Sequence, residues 1–124
     1  MKKSVKPLAV SCVIMMLFIM GLISPSRGQE KPGVSSPLPA DVNKIITNSC
    51  MPCHSSKGGM LSRSKLNLDE WTQYGADKQK SKASKIYSEV LKSKMPPKDV
   101  RETRPELIPT ESQVEILKKW KDSF

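Results

Sequence analysis

The residues of this chain that could carry chemistry stand together in one short motif. Cys50, Cys53 and His54 lie in the stretch C-M-P-C-H, which is the C-x-x-C-H pattern of covalent haem attachment. Two thiols at this spacing can add to the two vinyl groups on one edge of a haem, and the histidine directly after the second thiol then lies beneath the iron. The motif therefore predicts one covalent haem c, held by Cys50 and Cys53, with His54 as the proximal iron ligand.

Three other interpretations account for only part of this motif. A structural zinc site needs four protein ligands, whereas Cys50, Cys53 and His54 supply three. A thioredoxin-like redox pair would follow a strand in a βαβ unit, and the sequence has no strand-like alternation of any length. A plain disulfide would leave His54 without a role. Haem attachment is favoured because it gives all three residues a function.

The second axial ligand of the iron is predicted to be a methionine. Bis-histidine ligation within one chain is excluded, because His54 is the only histidine. Met51 lies inside the motif, and Met60 follows His54 by six residues, which is too close to reach the opposite haem face. Met95 follows by 41 residues and precedes Pro96-Pro97, whose rings stiffen a loop. We predict Met95 as the distal iron ligand; the alternative is a core methionine at a helix end.

The N-terminal segment has the features of a bacterial export signal. It has a basic region with Lys2, Lys3 and Lys6, followed by an apolar run over residues 8–23. It ends with Ser26 and Gly28, which suit cleavage before Gln29. We predict a cleaved signal peptide over residues 1–28 and a periplasmic location. The alternative is an uncleaved membrane anchor, although 16 apolar residues are fewer than the roughly 18–20 of a spanning helix.

The composition limits the class of protein. A length of 124 residues allows one domain at most, and no glycine-rich phosphate-binding motif occurs. Removing residues 1–28 takes away four basic residues and no acidic ones, so the formal net charge falls from +9 to +5. The 96 residues that remain would have a small core, which a covalently bound apolar cofactor would stabilise.

The elements that must position the motif are helices separated by polar loops. Residues 29–40, with three prolines, predict a flexible linker, and residues 41–124 form the predicted folded domain. The first predicted helix begins at an N-cap, Asp41, and ends near Cys50, and a short second helix begins near Asp69 and is closed by Gly75. A third helix is predicted over residues 78–94, where Met95-Pro96-Pro97 ends it. The last helix begins at a capping box formed by Thr110 and Gln113. Loops are predicted over residues 55–64 and 101–109.

The first and last helices are expected to pack against each other. Each helix has one apolar stripe, and few other apolar surfaces are available to cover it. We therefore expect Ile45 and Ile46 to pack against Leu117 and Trp120. Since no strand pattern occurs, the predicted fold class is all-α.

Several stretches resemble the haem-binding domain family of small bacterial c-type cytochromes, within the cytochrome c class. They are Cys50-Met51-Pro52-Cys53-His54-Ser55, Leu66-Asn67-Leu68-Asp69-Glu70-Trp71, Lys94-Met95-Pro96-Pro97 and the segment from Leu107 through Trp120. The resemblance covers about residues 42–120 and implies a small cytochrome c-like helical domain wrapped around one haem, with Met95 as distal ligand. One departure is the absence of the Pro-Trp-Tyr segment that many members carry after the motif; residues 57–61 instead resemble a loop of other bacterial cytochromes.

The predicted function is single-electron transfer between redox partners, and the protein is not expected to be an enzyme. Between Asp77 and Arg104 nine basic residues stand against four acidic ones. This charge predicts docking of an acidic redox protein near Lys78–Lys98, with a simple solvated helix face as the alternative. Nucleic acid is not an expected partner. The alternative functions are a haem-based gas or redox sensor and a haem subunit of a larger periplasmic oxidoreductase.

Overall fold

The computed structural model describes residues 35–124, so the predicted signal peptide over residues 1–28 and most of the predicted linker lie outside the described residues. Within this range every regular element is helical and no strand occurs, which confirms the all-α prediction. The elements are α1 (Ala40–Ile45), a π-helical segment (Ile46–Cys50), α2 (Met51–His54), α3 (Met60–Lys65), a 3-10 helix (Leu68–Gln73), α4 (Ala76–Leu91), α5 (Lys98–Thr103), a 3-10 helix (Pro105–Leu107) and α6 (Glu111–Asp122). None of these helices is long and apolar enough to cross a membrane.

The core forms around the first helical stretch, α4 and α6. Helix α6 packs against both α4 and α1. Ile45, Ile46, Leu117 and Trp120 are all buried in one cluster, as predicted for the pairing of the first and last helices. The capping box that begins α6 is present as predicted, with reciprocal hydrogen bonds between the capping threonine and the glutamine three residues later. The last helix therefore holds in place the segment that leads into the C-x-x-C-H motif.

Trp120 belongs to the aromatic part of this core. Its ring centroid lies 5.3 Å from that of Trp71 and 5.9 Å from that of Phe124. Because Trp120 is buried, Trp120→Ala should lower the free energy of unfolding by about 3–5 kcal/mol, measured by chemical denaturation of the haem-loaded protein. Leu91→Ala is the control, since Leu91 is 56% exposed and its loss should cost no more than about 0.5 kcal/mol. Equal costs for the two variants would contradict the packing described.

The first helical stretch differs from the prediction at both ends. Pro39, not Asp41, is the N-cap residue, so α1 begins at Ala40. Proline at this position sets φ to −54°, which directs the chain into the helix, and Asp41 lies in the first turn at the positive end of the helix dipole. At the other end, helical structure does not stop near Cys50 but continues to His54.

Both predicted loops contain helical turns. The predicted loop over residues 55–64 contains most of α3, and the predicted loop over residues 101–109 contains the end of α5 and a 3-10 helix. Helices α3 and α5 have six residues each, which is less than two turns and too short to show apolar periodicity in the sequence. The short helix predicted from Asp69 is a 3-10 helix that begins at Leu68, and Gly75 is the N-cap of α4.

Helix α4 ends in a Schellman motif, three residues before the predicted end. The backbone N–H of Ser93 donates to the Val90 carbonyl at 3.0 Å, and that of Lys94 donates to the Glu89 carbonyl at 2.9 Å. Ser93 has a φ of 54°, a conformation that glycine usually provides. The sequence carries no glycine signal at this point, so the predicted helix end was three residues too late. The motif leads the chain directly into Met95.

The last residues of the predicted linker are held against the domain. The Ser36 backbone N–H donates to Gln79 Oε1 at 2.9 Å, and its carbonyl accepts from Gln79 Nε2 at 2.9 Å and from Trp71 Nε1 at 3.1 Å. Gln79 is fully buried, and its side chain is satisfied by these bonds and by one to the Trp71 carbonyl. The folded domain therefore begins before residue 41.

Candidate functional site

The C-x-x-C-H residues lie on one continuous helical path. Cys50 ends the π-helical segment, and Cys53 and His54 lie in α2. Both thiols are free and partly buried. Desolvation by burial, together with the nearby Cys53, raises the pKa of the Cys50 thiol to about 12.

Two backbone carbonyls orient the imidazole of His54. Its Nδ1 lies 3.0 Å from the Ser62 carbonyl oxygen and 3.2 Å from that of Leu66. A carbonyl can only accept, so Nδ1 carries a proton and donates it. A metal-ligating histidine binds through one ring nitrogen while the other donates to such a backbone acceptor, so this arrangement leaves Nε2 as the nitrogen that could bind a metal. The two carbonyls belong to α3 and the residue after it, a region that the sequence predicted mostly as loop.

The turn after the motif folds back onto it through a glycine. The Gly58 backbone N–H donates to the Ser55 carbonyl at 2.9 Å. A Cβ at Gly58 would collide with the Cys53 carbonyl group, so no other residue fits without a backbone shift. Asp69 holds the same turn by accepting from the Ser56 backbone N–H at 2.6 Å, and that bond keeps the pKa of the Asp69 carboxyl below its usual range.

Gly58→Ala is therefore expected to disturb the site without touching a ligand. The added methyl must displace the backbone at Cys53, so the fraction of protein that acquires haem should fall and the remaining holoprotein should unfold at a lower denaturant concentration. Gly59→Ala is the matched control, because a Cβ there would meet nothing within 4 Å. The haem-to-protein absorbance ratio measures loading; equal ratios for the two variants would contradict the close approach.

Met95 and His54 line the same cleft. Two adjoining cavities of about 40 and 430 Å³, both partly open to solvent, share Cys50, His54, Val90 and Met95 in their walls. Cys53 lines the smaller cavity only. The larger volume is of the order found for small-molecule and cofactor sites. The structure thus brings one thiol, one imidazole and one thioether to a common space.

The three candidate methionines have different surroundings. Met51 packs against the core, and Met60 is 79% exposed. Neither lines the two cavities that His54 lines, whereas Met95 lines both. Met95 is partly buried and is not a member of the core cluster, which distinguishes it from the alternative of a core methionine. Iron ligation by His54 and Met95 stays a prediction.

Across residues 35–124, no group of three or more His, Cys, Asp or Glu side chains lies close enough together to hold a metal ion. Among these residues, the fold therefore places no fourth protein ligand for zinc beside Cys50, Cys53 and His54. A haem iron makes a smaller demand on the protein, because the porphyrin supplies the other ligands and the chain adds only two axial groups. The residues present fit a haem in this respect.

A family model described as a haem-binding domain matches residues 60–123. The matched segment extends from α3 to the end of α6 and includes Met95 and both prolines after it; the C-x-x-C-H motif lies just before it. Searches of curated proteins and of solved structures each returned no match.

Proposed function

The chain belongs to the haem-binding domain family, and on that premise we propose that it is an exported c-type cytochrome that transfers single electrons through one covalent haem. The observation that carries the proposal is the shared cleft of Cys50, His54 and Met95. Attachment through Cys50 and Cys53 and axial ligation by His54 and Met95 are parts of this proposal, as is a periplasmic location. An electron carrier of this kind is not an enzyme.

Each residue of the cleft has a distinct task in this proposal. When bound, the haem supplies the chemistry by exchanging one electron between the ferrous and ferric states. His54 would bind the iron through Nε2, because Nδ1 donates to backbone carbonyls. Met95 offers an uncharged thioether, which raises the reduction potential relative to two nitrogen ligands. Val90 and Pro96 in the cavity wall exclude water, and the low dielectric strengthens the effect of nearby charges.

Carbon monoxide tests this proposal against the gas-sensor alternative. An electron carrier with both axial positions filled should keep its reduced absorption spectrum when carbon monoxide is added at neutral pH. A sensor with an open sixth position would bind the gas and shift its Soret band. A spectrum that changes fully on the first addition would contradict the proposal, and an unchanged spectrum would support it.

A lysine-rich surface is proposed to receive an acidic redox protein. Its exposed members are Lys78, Lys80, Lys85, Lys92, Lys94 and Lys98. Two of them, Lys94 and Lys98, flank Met95-Pro96-Pro97 in the chain and so lie near the residue proposed to bind iron. Positive charge beside the site of electron transfer accelerates encounter with an anionic partner.

Electron transfer to an anionic reagent is therefore expected to depend on salt. Oxidation of the ferrous protein by hexacyanoferrate(III) should slow as ionic strength rises through about 0.1 M, where the Debye length is about 10 Å. Lys92→Glu with Lys94→Glu and Lys98→Glu should flatten or invert this dependence in stopped-flow measurements. The control reverses Lys57, Lys118 and Lys119, which gives the same change in net charge away from this segment. Equal effects of the two triple variants would contradict a localised docking surface.

A further inference from the structure

The cleft has two chemically different ends. The smaller cavity is lined by Cys53 and by apolar residues, which are Val90, Pro96, Pro97, Val100, Leu107 and Pro109. The larger cavity is lined by Lys65, Lys82 and Lys85, together with Leu66, Ile86 and Glu89. Cys53 thus adjoins the apolar end, Cys50 lies where the two cavities meet, and three lysines line the other end. The lysines come from two elements, the C-terminus of α3 and one face of α4.

The three ammonium groups are available to an anion. Within the part of the chain that the structure describes, Lys65, Lys82 and Lys85 form no ion pair with a carboxylate. Lys82 is partly buried, and its Nζ donates to the Lys65 backbone carbonyl at 2.7 Å, which holds two of the three lysines side by side. Glu89 is the one acidic residue in this lining, so three positive charges and one negative leave an excess of two positive charges.

We propose that Lys82 and Lys85, with Lys65, bind the two propionate groups of the haem. A haem carries its vinyl groups on one edge and its two propionates on the opposite edge. Attachment of the vinyl edge at Cys50 and Cys53 directs the propionates away from the apolar end, and two carboxylates match the excess of two positive charges. This inference rests on the proposed function, because it assumes that the haem is attached through these thiols.

The lysines have two consequences for a bound haem. Charge-assisted hydrogen bonds to the propionates fix the orientation of the macrocycle within the cleft. Their positive charge also disfavours the ferric state, which carries one more positive charge than the ferrous state, and so raises the reduction potential. Loss of a lysine should therefore lower the potential, and it should weaken the hydrogen bonding that the propionate receives.

The test uses the haem-loaded protein with Lys82→Gln, Lys85→Gln and the double variant. Resonance Raman spectroscopy reports the propionate bending bands, and a redox titration at low ionic strength reports the potential. We expect the double variant to shift the bending bands and to lower the potential by more than either single variant. Lys80→Gln is the matched control, because Lys80 is exposed on the same helix and does not line the cleft. The Lys80→Gln variant should leave the bending bands unchanged, and it should change the reduction potential less than the Lys82→Gln and Lys85→Gln variants do.

The possible failures can be told apart. Protein that acquires no covalent haem would overturn the proposed function, and this inference with it. Haem-loaded Lys82→Gln/Lys85→Gln protein with unchanged bending bands would overturn this inference alone. If the double variant keeps its bending bands but loses the salt dependence of electron transfer, the inference is also overturned, because the lysines would then bind an external partner and not the propionates.

Discussion

Replacing both cysteines, as Cys50→Ala with Cys53→Ala, is expected to abolish covalent haem attachment. The thioether bonds are the only covalent links that the proposal provides, so no haem should remain with the protein after acid–acetone extraction. The free energy of unfolding should also fall, because the walls of both cavities lose the apolar group that fills them. Absorbance of the extracted protein measures the first effect, and chemical denaturation measures the second.

The control for this experiment is Pro52→Ala. Pro52 lies between the two thiols, so the variant alters the motif but retains both attachment groups. It should remain red after extraction, and each single cysteine variant should retain one thioether bond. Wild-type protein that releases its haem into the solvent would contradict covalent attachment. A double variant that stays red would assign attachment to other residues.

Met95→Ala is expected to open the sixth coordination position. The variant loses the thioether from the cleft, and its reduced form should bind carbon monoxide where the wild-type form does not. Its reduction potential should fall, because the soft ligand that favours ferrous iron is gone. Absorption spectra of the reduced protein with and without carbon monoxide, followed by a redox titration, measure both changes.

Met60→Ala is the matched control for the distal ligand. Both residues are methionines that follow His54 in the chain, but Met60 is 79% exposed and lines neither cavity at His54. Its loss should leave the spectrum and the potential unchanged. If Met95→Ala keeps the wild-type spectrum and potential, Met95 is not the ligand. If the wild-type protein itself binds carbon monoxide, the gas-sensor alternative becomes the better account.

The features of the fold that could be predicted depend on residues that lie close together in the sequence. The last helix begins at a capping box in which Thr110 and Gln113 satisfy each other's hydrogen bonds, so a pattern of four consecutive residues predicts its start. The all-α class likewise follows from apolar spacing along each helix. The packing of the first helix against the last was predictable because each helix has one apolar stripe that must be buried.

The parts that were missed depend on tertiary contacts or on an unusual backbone. The orientation of His54 relies on carbonyls eight and twelve residues away, in a region without apolar periodicity. The end of α4 uses Ser93 in a conformation that usually indicates glycine. The attachment of Ser36 to Gln79 spans 43 residues, and a buried glutamine cannot be told from an exposed one by sequence pattern. No local signal would have found these three features.

The intact mass of the protein, produced by cells that carry the haem-attachment machinery, tests the central claim most directly. Covalent attachment through Cys50 and Cys53 predicts the mass of the polypeptide plus one haem under denaturing conditions, and cleavage of the signal peptide predicts a polypeptide that begins at Gln29. The alkaline pyridine spectrum of the same sample should show a haem with both vinyl groups saturated. A polypeptide mass without haem, from cells in which a known c-type cytochrome matures normally, would contradict the account.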